Sequence, residues 1–289
     1  MVSLARGGAP VLDVTETELQ TFDPFAKEAA YIRVNEKLVT RLVKRLAGCR
    51  RIRLLDVAAG TGLMTTIALR QAAGAGMEIQ STLLDLDLPA LSQARHEVGA
   101  SNARYVFASA DSLPFRETFD AAIFANALHL LDDVAKDRAL TEMRRVLKQG
   151  GVLAFNTTFY EGAYPEESKP FYSRWIRRSI AEVNRRLPNR SKGERAQAME
   201  WLEASGYRDL IESHGFRVVE CRERRVFLSQ AAVRAISSYR VFAKGALHAT
   251  DEDAEEVSRA LQSTVRQTFR DLQMKRLARN WLEFIAVKA

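Results

Sequence analysis

The sequence predicts an α/β fold, a three-layer sandwich with helices on both faces of a seven-stranded, mostly parallel sheet. Two observations carry the expectation. From residue 52 onward, short apolar runs alternate with patterns of helical period, the mark of a parallel sheet wound with helices. At 289 residues, with 47% hydrophobic and 27% charged residues interspersed, the chain is also long and apolar enough to bury one large core with a satellite.

In chain order, residues 22–47 read as helical. The first strand is IRLLDV (52–57), followed by a turn of small residues and a helix over 63–73. The second strand, IQSTLLDL (79–86), leads into a helix over 88–98, and RYVFA (104–108) is the third strand. DAAIFA (120–125) is the fourth. A helix over 133–147 then ends in Lys148-Gln149-Gly150-Gly151, a cation in the last turn with glycines just past it, before the fifth strand GVLAFNTT (151–158). Residues 166–205 read as helical again. FRVVECRERRVFL (216–228) and WLEFIAVKA (281–289) are the sixth and seventh strands, with a helical region of about 229–277 between them. Within that region Thr250-Asp251-Glu252-Asp253 reads as a capping box opening an amphipathic helix with Val257, Leu261, Val265, Phe269 and Leu272 on one face.

These three helical regions are expected either to cover the carboxyl edge of the sheet, where open α/β folds bind their ligands, or simply to pack on the outside. The expected organisation is an N-terminal helical cover (1–50), a cofactor-binding half (51–158), a helical lid insertion (159–215), and the remaining strands with a helical insertion (216–289).

Several function classes are excluded early. No run of about 18 uncharged apolar residues exists to span a bilayer, and the first residues lack an apolar stretch followed by a cleavage site, so the expected compartment is the cytoplasm. The two cysteines, Cys49 and Cys221, lie far apart without metal-ligand spacing, so neither a disulfide framework nor a metal is expected. A formal charge of +7 favours acidic partners only weakly, because a basic surface also serves solubility.

The motifs carry more. At the end of the first strand the residues run Asp56-x-Ala58-x-Gly60-x-Gly62, with Ala59 inside the turn. The spacing differs in kind from the G-x-G-x-x-G of dinucleotide-binding turns. The second strand ends in Leu84-Asp85-Leu86-Asp87, and the third leads into Ser109-Ala110-Asp111-Ser112-Leu113-Pro114-Phe115. The fourth follows as FDAAIFANALHLLDD (119–133), and MRRVLKQGGVLAF (143–155) enters the fifth. Taken in order over residues 52–156, these segments resemble the S-adenosylmethionine-dependent methyltransferases of the Rossmann-like class, nearest to the small-molecule enzymes of ubiquinone and menaquinone biosynthesis.

The resemblance implies an antiparallel seventh strand and a role for each motif residue. Asp56, Ala58, Ala59, Gly60 and Gly62 would cradle the methionine portion of S-adenosylmethionine, with Gly60 and Gly62 closest and Asp56 holding the amino group directly or through water. Asp85 would accept both ribose hydroxyls, a charge-assisted contact, with Asp87 as the alternative ligand or a helix cap, and Leu86 a wall against the adenine. Ser109 stands where the family usually places aspartate, so the adenine amino group falls to Ser109 or Asp111 and the ring to the Ala110 amide. Ala58 is a modest departure if its backbone is ordinary; at positive φ it carries strain of order 1 kcal/mol or more. Asn126 would line the cofactor pocket. Tyr31 and Arg33 would close over the cofactor's carboxylate.

Methyl transfer from a sulfonium is an in-line displacement with a good leaving group, so proximity and alignment dominate and a base is optional. His129, on the loop after the fourth strand, is the candidate base, with a packing role at a helix start as the equal alternative. Aromatic and apolar residues in the covers suit a largely apolar small-molecule acceptor of polyketide, terpenoid, quinone or lipid type, methylated at oxygen or carbon to leave S-adenosylhomocysteine. In Arg174–Leu187 the apolar Ile176, Ile180, Val183 and Leu187 keep helical spacing and leave arginines on the other face. That face is either simply solvated, or it docks an acidic carrier protein, an anionic membrane surface or RNA. Against nucleobase chemistry, the fourth strand lacks the Asn/Asp-Pro-Pro-aromatic turn of base-amine methylation. RNA or protein methylation, and a cofactor-binding protein such as a cyclase that transfers no methyl, stand as alternatives.

Overall fold

A computed structural model of the chain describes residues 22–116, 118–190 and 201–289. Residues 1–21 of the expected N-terminal cover, and 191–200 of the second helical region, lie outside the described residues. Seven strands form one sheet: β1 (Arg51–Val57), β2 (Glu78–Asp85), β3 (Ala103–Phe107), β4 (Phe119–Ala125), β5 (Leu147–Thr157), β6 (Phe216–Leu228) and β7 (Leu277–Lys288). Their order is β3-β2-β1-β4-β5-β7-β6, and only β7 runs antiparallel to its neighbours. The seven expected strands and the antiparallel last one are present.

Successive residues of β1 serve opposite faces, as a pleated strand requires. Leu55 and Val57 pack with Phe124, Phe155 and Phe284 against Leu140 and Met143 of α5 (Asp133–Val146) and Ile211 of α7 (Ala204–Ser213). On the other face Leu54 joins Ile123, Ala154 and Ile285 against Leu38 and Leu42 of α2 (Ala29–Arg45) and Ile67 of α3 (Leu63–Gly74). The remaining helix of the wound half, α4 (Leu88–Val98), closes over β2 with Leu83, Leu91 and Ala94. Full burial of each such Leu, Ile or Phe side chain stabilises by about 1.5–3 kcal/mol, so both helical layers are held firmly to the sheet.

A third core belongs to the cover. There Trp175 of α6 (Lys169–Arg186), Val233 of α8 (Gln230–Ser238), Ala243 of α9 (Arg240–Leu247) and Val257, Leu261 and Val265 of α10 (Ala254–Asp271) pack on Trp281 of β7. The expected apolar face of α10 is buried through Phe269, with Leu272 half-buried just past the end. The Asp253 N–H donates to Thr250 Oγ1 at 3.3 Å, yet the helix itself starts only at Ala254.

Four boundaries differ from the sequence expectation. Region 22–47 is broken at Lys27–Glu28 into α1 (Asp23–Ala26) and α2, and the bend sets Phe22 and Phe25 against the Tyr31 ring, at 5.4 and 5.0 Å. Strand β5 begins at Leu147, because burying Leu147 opposite Phe119 draws the chain into the sheet directly from α5. The cations of the last turn of α5 are therefore Arg144 and Arg145, and Lys148 lies in the strand. Strand β7 starts at Leu277 rather than 281, since Leu277–Asn280 pair with Arg225–Leu228 of β6 beyond the reach of β5. Helix α6 turns Phe171, Trp175, Ser179 and Val183 into the core, which swings Ile176 and Ile180 to the flank.

One buried ion cluster ties α2 to the β6–β7 ribbon. The wholly buried Glu283 accepts from Arg41 Nη2 at 2.6 Å and from Arg224 Nε at 2.7 Å. Removing one member of such a cluster strands the others, so Glu283→Ala is expected to lower stability by about 3–5 kcal/mol, read from the urea midpoint. A shift below 1 kcal/mol would show that Arg41 and Arg224 find water instead.

Candidate functional site

The turn after β1 is fixed by two carboxylates. Asp56 Oδ2 accepts from the Thr65 N–H at 3.1 Å and the Thr65 hydroxyl at 2.7 Å. Gly62 has no side chain to cap α3, so a strand residue satisfies one of the helix's orphan donors. Asp56 is itself buried and does not line the cavity described below, so its direct contact is with the helix rather than with a ligand. Burial pushes its pKa from 3.8 to about 7, against the Thr65 hydrogen bonds and helped by the Asp85 charge.

Three residues of the turn adopt positive φ: Ala58 (53°), Gly60 (54°) and Gly62 (83°). The alanine therefore does not sit in an ordinary conformation; its Cβ meets the steric cost of the left-handed region. The two glycines answer different needs. A methyl on Gly62 would come within 2.7 Å of Val98 Cγ2, so Gly62 is demanded by α3–α4 packing and lies away from the cavity. A methyl on Gly60 would meet nothing within 4 Å, and Gly60 faces the cavity, where a ligand can approach its backbone.

Asp85 closes the turn from the next strand. Its Oδ2 accepts from the Gly60 N–H at 2.7 Å and its Oδ1 from the Asp87 N–H at 2.9 Å. Burial raises its pKa against those two bonds. Asp87 caps α4, accepting from the Ala90 N–H at 3.0 Å, which settles its helix-cap role and leaves Asp85 deeper in the cavity wall. Leu86 is 59% exposed beside them, a bare apolar side chain at the strand end but not part of the cavity wall. Ser109, Ala110 and Asp111 also stand off that wall. Ala110 turns into the core with Leu113, while Ser109 and Asp111 are half-buried.

A cavity of about 1580 Å³ lies over the carboxyl ends of β1, β2, β4 and β5, roofed by α1, α6, α8 and α9. Of the three helical regions expected over this edge, parts of each contribute to the roof, whereas most of α2 packs on a face of the sheet instead. One end is the Ala58–Gly60 turn with Asp85; the other is walled by Phe159, Tyr172, Trp175 and Phe242. Between them a polar network joins α2 to the sheet. Asn126, at φ 50°, donates through Nδ2 to the Tyr31 hydroxyl at 3.1 Å, and Asn156 Nδ2 donates to Asn35 Oδ1 at 2.8 Å. Asn126 Oδ1 is buried without a partner. Burial pushes the Tyr31 phenol to about 12 despite the Asn126 and Asn35 side chains, so it remains a hydrogen-bonding hydroxyl. Arg33 does not join Tyr31. Two residues along a helix is about 200°, so a tyrosine facing in leaves the arginine exposed.

His129 sits in a short 3-10 turn, buried and stacked on Phe159 with ring centroids 3.8 Å apart. Burial first, then the charges of Arg279 and Lys136, push its pKa down to about 3, and its Nδ1 has no partner. The ring is neutral at physiological pH, yet far weaker as a base than an ordinary histidine. His96 reaches the cavity as an exposed residue of α4, whereas His214 and His248 lie away from it.

Sequence reasoning missed Arg279. With the helical region read to about 277 and β7 from 281, this residue falls in the gap between them; the unbroken run Leu277–Trp281, free of glycine and proline, is the signal available. It lines the cavity beside His129 and Phe159. Of the arginines on α6, Arg178 pairs with Asp271, Arg185 with Glu182, and Arg186 with Glu182 and Glu256. Arg177 stands exposed at the cavity mouth. No group of His, Cys, Asp and Glu among the described residues could hold a metal ion, and no described helix is long and apolar enough to cross a membrane.

Comparison with known proteins agrees with the motifs. Residues 54–151 match the family described as "Methyltransferase domain". A ubiquinone/menaquinone biosynthesis C-methyltransferase of Psychromonas ingrahamii is 38% identical over 136 residues, 43% of this chain and 52% of that one. A malonyl-[acyl-carrier protein] O-methyltransferase of Salmonella typhimurium is 36% identical over 126 residues, 43% of this chain and 46% of the relative. The chain spans about half the length of these relatives. Among solved structures, a candidate sarcosine dimethylglycine methyltransferase from Galdieria sulphuraria superimposes with a TM-score of 0.53 at 16% identity, over 90% of this chain and 86% of that one, a likeness of fold.

Two outcomes test the turn. Folded Asp56 keeps its proton to about pH 7, whereas an unfolded aspartate loses it near 3.8, so the folded state binds more protons between these values. That stability is fully present below 3.8 and lost as pH rises through about 7, roughly 4 kcal/mol at 1.36 per unit. In Asp56→Asn this descent should vanish from urea midpoints taken between pH 4 and 8; parallel profiles would refute it. Ala58→Gly is expected to raise stability by up to about 1 kcal/mol, the relief of a left-handed alanine less the entropy of an unfolded glycine.

Proposed function

We propose, from the premise that residues 54–151 belong to the methyltransferase-domain family, that this protein moves a methyl group from S-adenosylmethionine to oxygen or carbon of a largely apolar small molecule. The observation that carries the reading is the shared chamber. The polar turn of Ala58–Gly60 and Asp85 opens into the same cavity as an aromatic end large enough for an acceptor.

The residues fit the cofactor. Gly60 presents backbone with free space beyond its Cα, and the unpartnered Asn126 Oδ1 suits an ammonium group. Each Asp85 oxygen accepts one backbone N–H and keeps a further lone pair for a ribose hydroxyl. The exposed Leu86 is left to offer an apolar face to an adenine lying outside the cavity wall, while Ala110 is turned into the core and Ser109 and Asp111 stand off the wall. When bound, S-adenosylmethionine supplies a methyl on a sulfonium sulfur that departs as a neutral thioether.

The chain's part is alignment and exclusion of water. Asp56 orders the turn through Thr65, and Tyr31 with Asn126 fixes α2 against the strand end beneath the roof. His129, neutral and weakly basic, holds the acceptor by a hydrogen bond instead of removing its proton. The acceptor then needs no strong base, which favours an acidic or already ionised group. A carrier-tethered acceptor is admitted, in line with the malonyl-carrier relative, with Arg177 at the mouth to meet an acidic carrier. A peripheral contact with an anionic membrane would use the same face. The ion pairs along α6 leave little of it for RNA. The compartment proposed is the cytoplasm.

Calorimetric titration of the full chain should show micromolar binding of S-adenosylmethionine and S-adenosylhomocysteine and none of NAD. Asp85→Ala should weaken the first two by about 10- to 100-fold, the worth of a charged hydrogen bond. If neither sulfur compound binds, the reading fails.

A further inference from the structure

We propose that Arg279 anchors an anionic oxygen of the acceptor, so that the substrate is an apolar molecule bearing a carboxylate or another ionised oxygen. The inference rests on the reading of the aromatic end of the cavity as the acceptor pocket.

Two arginines of this fold are deeply buried, and they are treated differently. Arg41, 8% exposed, is neutralised by Glu283 at 2.6 Å. Arg279, 6% exposed, has no carboxylate within ion-pair distance among the described residues. Its Nε donates to Thr158 Oγ1 at 2.8 Å and one Nη to the Thr158 carbonyl at 2.6 Å, so the fork is held in one orientation. Beyond Thr158 it meets the Tyr172 hydroxyl, a side-chain hydrogen-bond partner, and a set of rings. Tyr164 lies 4.0 Å from the guanidinium carbon, with Tyr172, Phe159 and Trp201 at 5.5 to 5.8 Å.

Aromatic faces soften the burial of a cation without cancelling its charge. The nearest acid on the neighbouring strand is already engaged, because Glu223 accepts from the Tyr160 hydroxyl at 2.7 Å and from Asn280 Nδ2 at 3.0 Å. A guanidinium oriented by backbone, facing a cavity and with no counter-charge among the described residues is a receptor for a planar anion, which it binds bidentately. The same positive charge disfavours protonation of His129, so the pocket selects an acceptor that arrives ionised. The rings that flank Arg279 take the apolar body attached to that oxygen.

The test uses dodecanoate and dodecanol, equal in chain and differing in charge, at pH 8 below their aggregation limits. Both are titrated into the full-length protein with and without S-adenosylhomocysteine. Dodecanoate is expected to bind at least ten-fold more tightly than dodecanol. Arg279→Met should erase that preference while S-adenosylhomocysteine affinity stays within two-fold, and Arg279→Lys, which keeps the charge but not the fork, should retain part of it. Should Arg279→Met melt early by circular dichroism, Thr158→Val serves in its place and should reduce the preference by freeing the fork. Equal binding of the two probes, or a preference that survives Arg279→Met, overturns the proposal. A wild type that prefers dodecanoate but ignores S-adenosylhomocysteine would instead overturn the methyltransferase reading and leave the anchor standing.

Discussion

The geometry of the whole site depends on one hydrogen bond, from the Gly60 N–H to Asp85 Oδ2 at 2.7 Å. It joins the ends of two adjacent parallel strands across a turn that must run at positive φ, a conformation L-residues resist. Asp56 does the matching work on the far side by holding the first turn of α3 through Thr65. Between the two carboxylates the turn has little freedom, and its strain at Ala58 is paid for by the packing of Gly62 against Val98 and Ala94.

This arrangement explains which parts of the protein were legible in the sequence. The strands of the wound half are short apolar runs whose partners follow within about thirty residues, so local pattern and pairing agree. The motif residues Ala58, Gly60 and Asp85 do converge on one cavity. What local pattern could not reveal was the division of labour. Asp56 and Gly62 belong to the same motif as Gly60 but serve the helix and its neighbour, a distinction that exists only once α4 is packed. Arg33 was misplaced because α2 turns its inward face by helical period, not by residue type. The stripe on α6 holds at Val183, Ile176 and Leu187, which meet the cover core, but Phe171 and Trp175 lead the buried face and leave Ile180 exposed.

The electrostatics of the cavity reveal a second pattern. A buried charge is costly unless paired, and this fold pairs Arg41 fully with Glu283 while leaving Arg279 to aromatic rings. Tyr31 and His129 are both held neutral by burial, and His129 further by nearby cations. The cavity therefore carries the Arg279 charge at its aromatic end and the Asp85 carboxylate beside the turn, with Asp56 buried behind it and holding its proton to about pH 7. A cation suits the turn end and an anion the aromatic end, which is the polarity that the proposed sulfonium donor and ionised acceptor require.

The position of these groups along the chain bears on what can be borrowed from relatives. The family match ends at residue 151. Thr158, Phe159, Tyr164, Tyr172 and Arg279 all follow it, and they build the end of the cavity proposed for the acceptor. Likeness in the matched half speaks for the turn and its carboxylates, because those residues lie inside it. It says nothing of the acceptor, which is met by the β5 end, α6 and the β6–β7 ribbon. Relatives that share the cofactor turn, one named for a quinone and one for a malonyl carrier, can thus differ in substrate without conflict. For this chain the proposed acceptor is read from the aromatic walls and the buried Arg279.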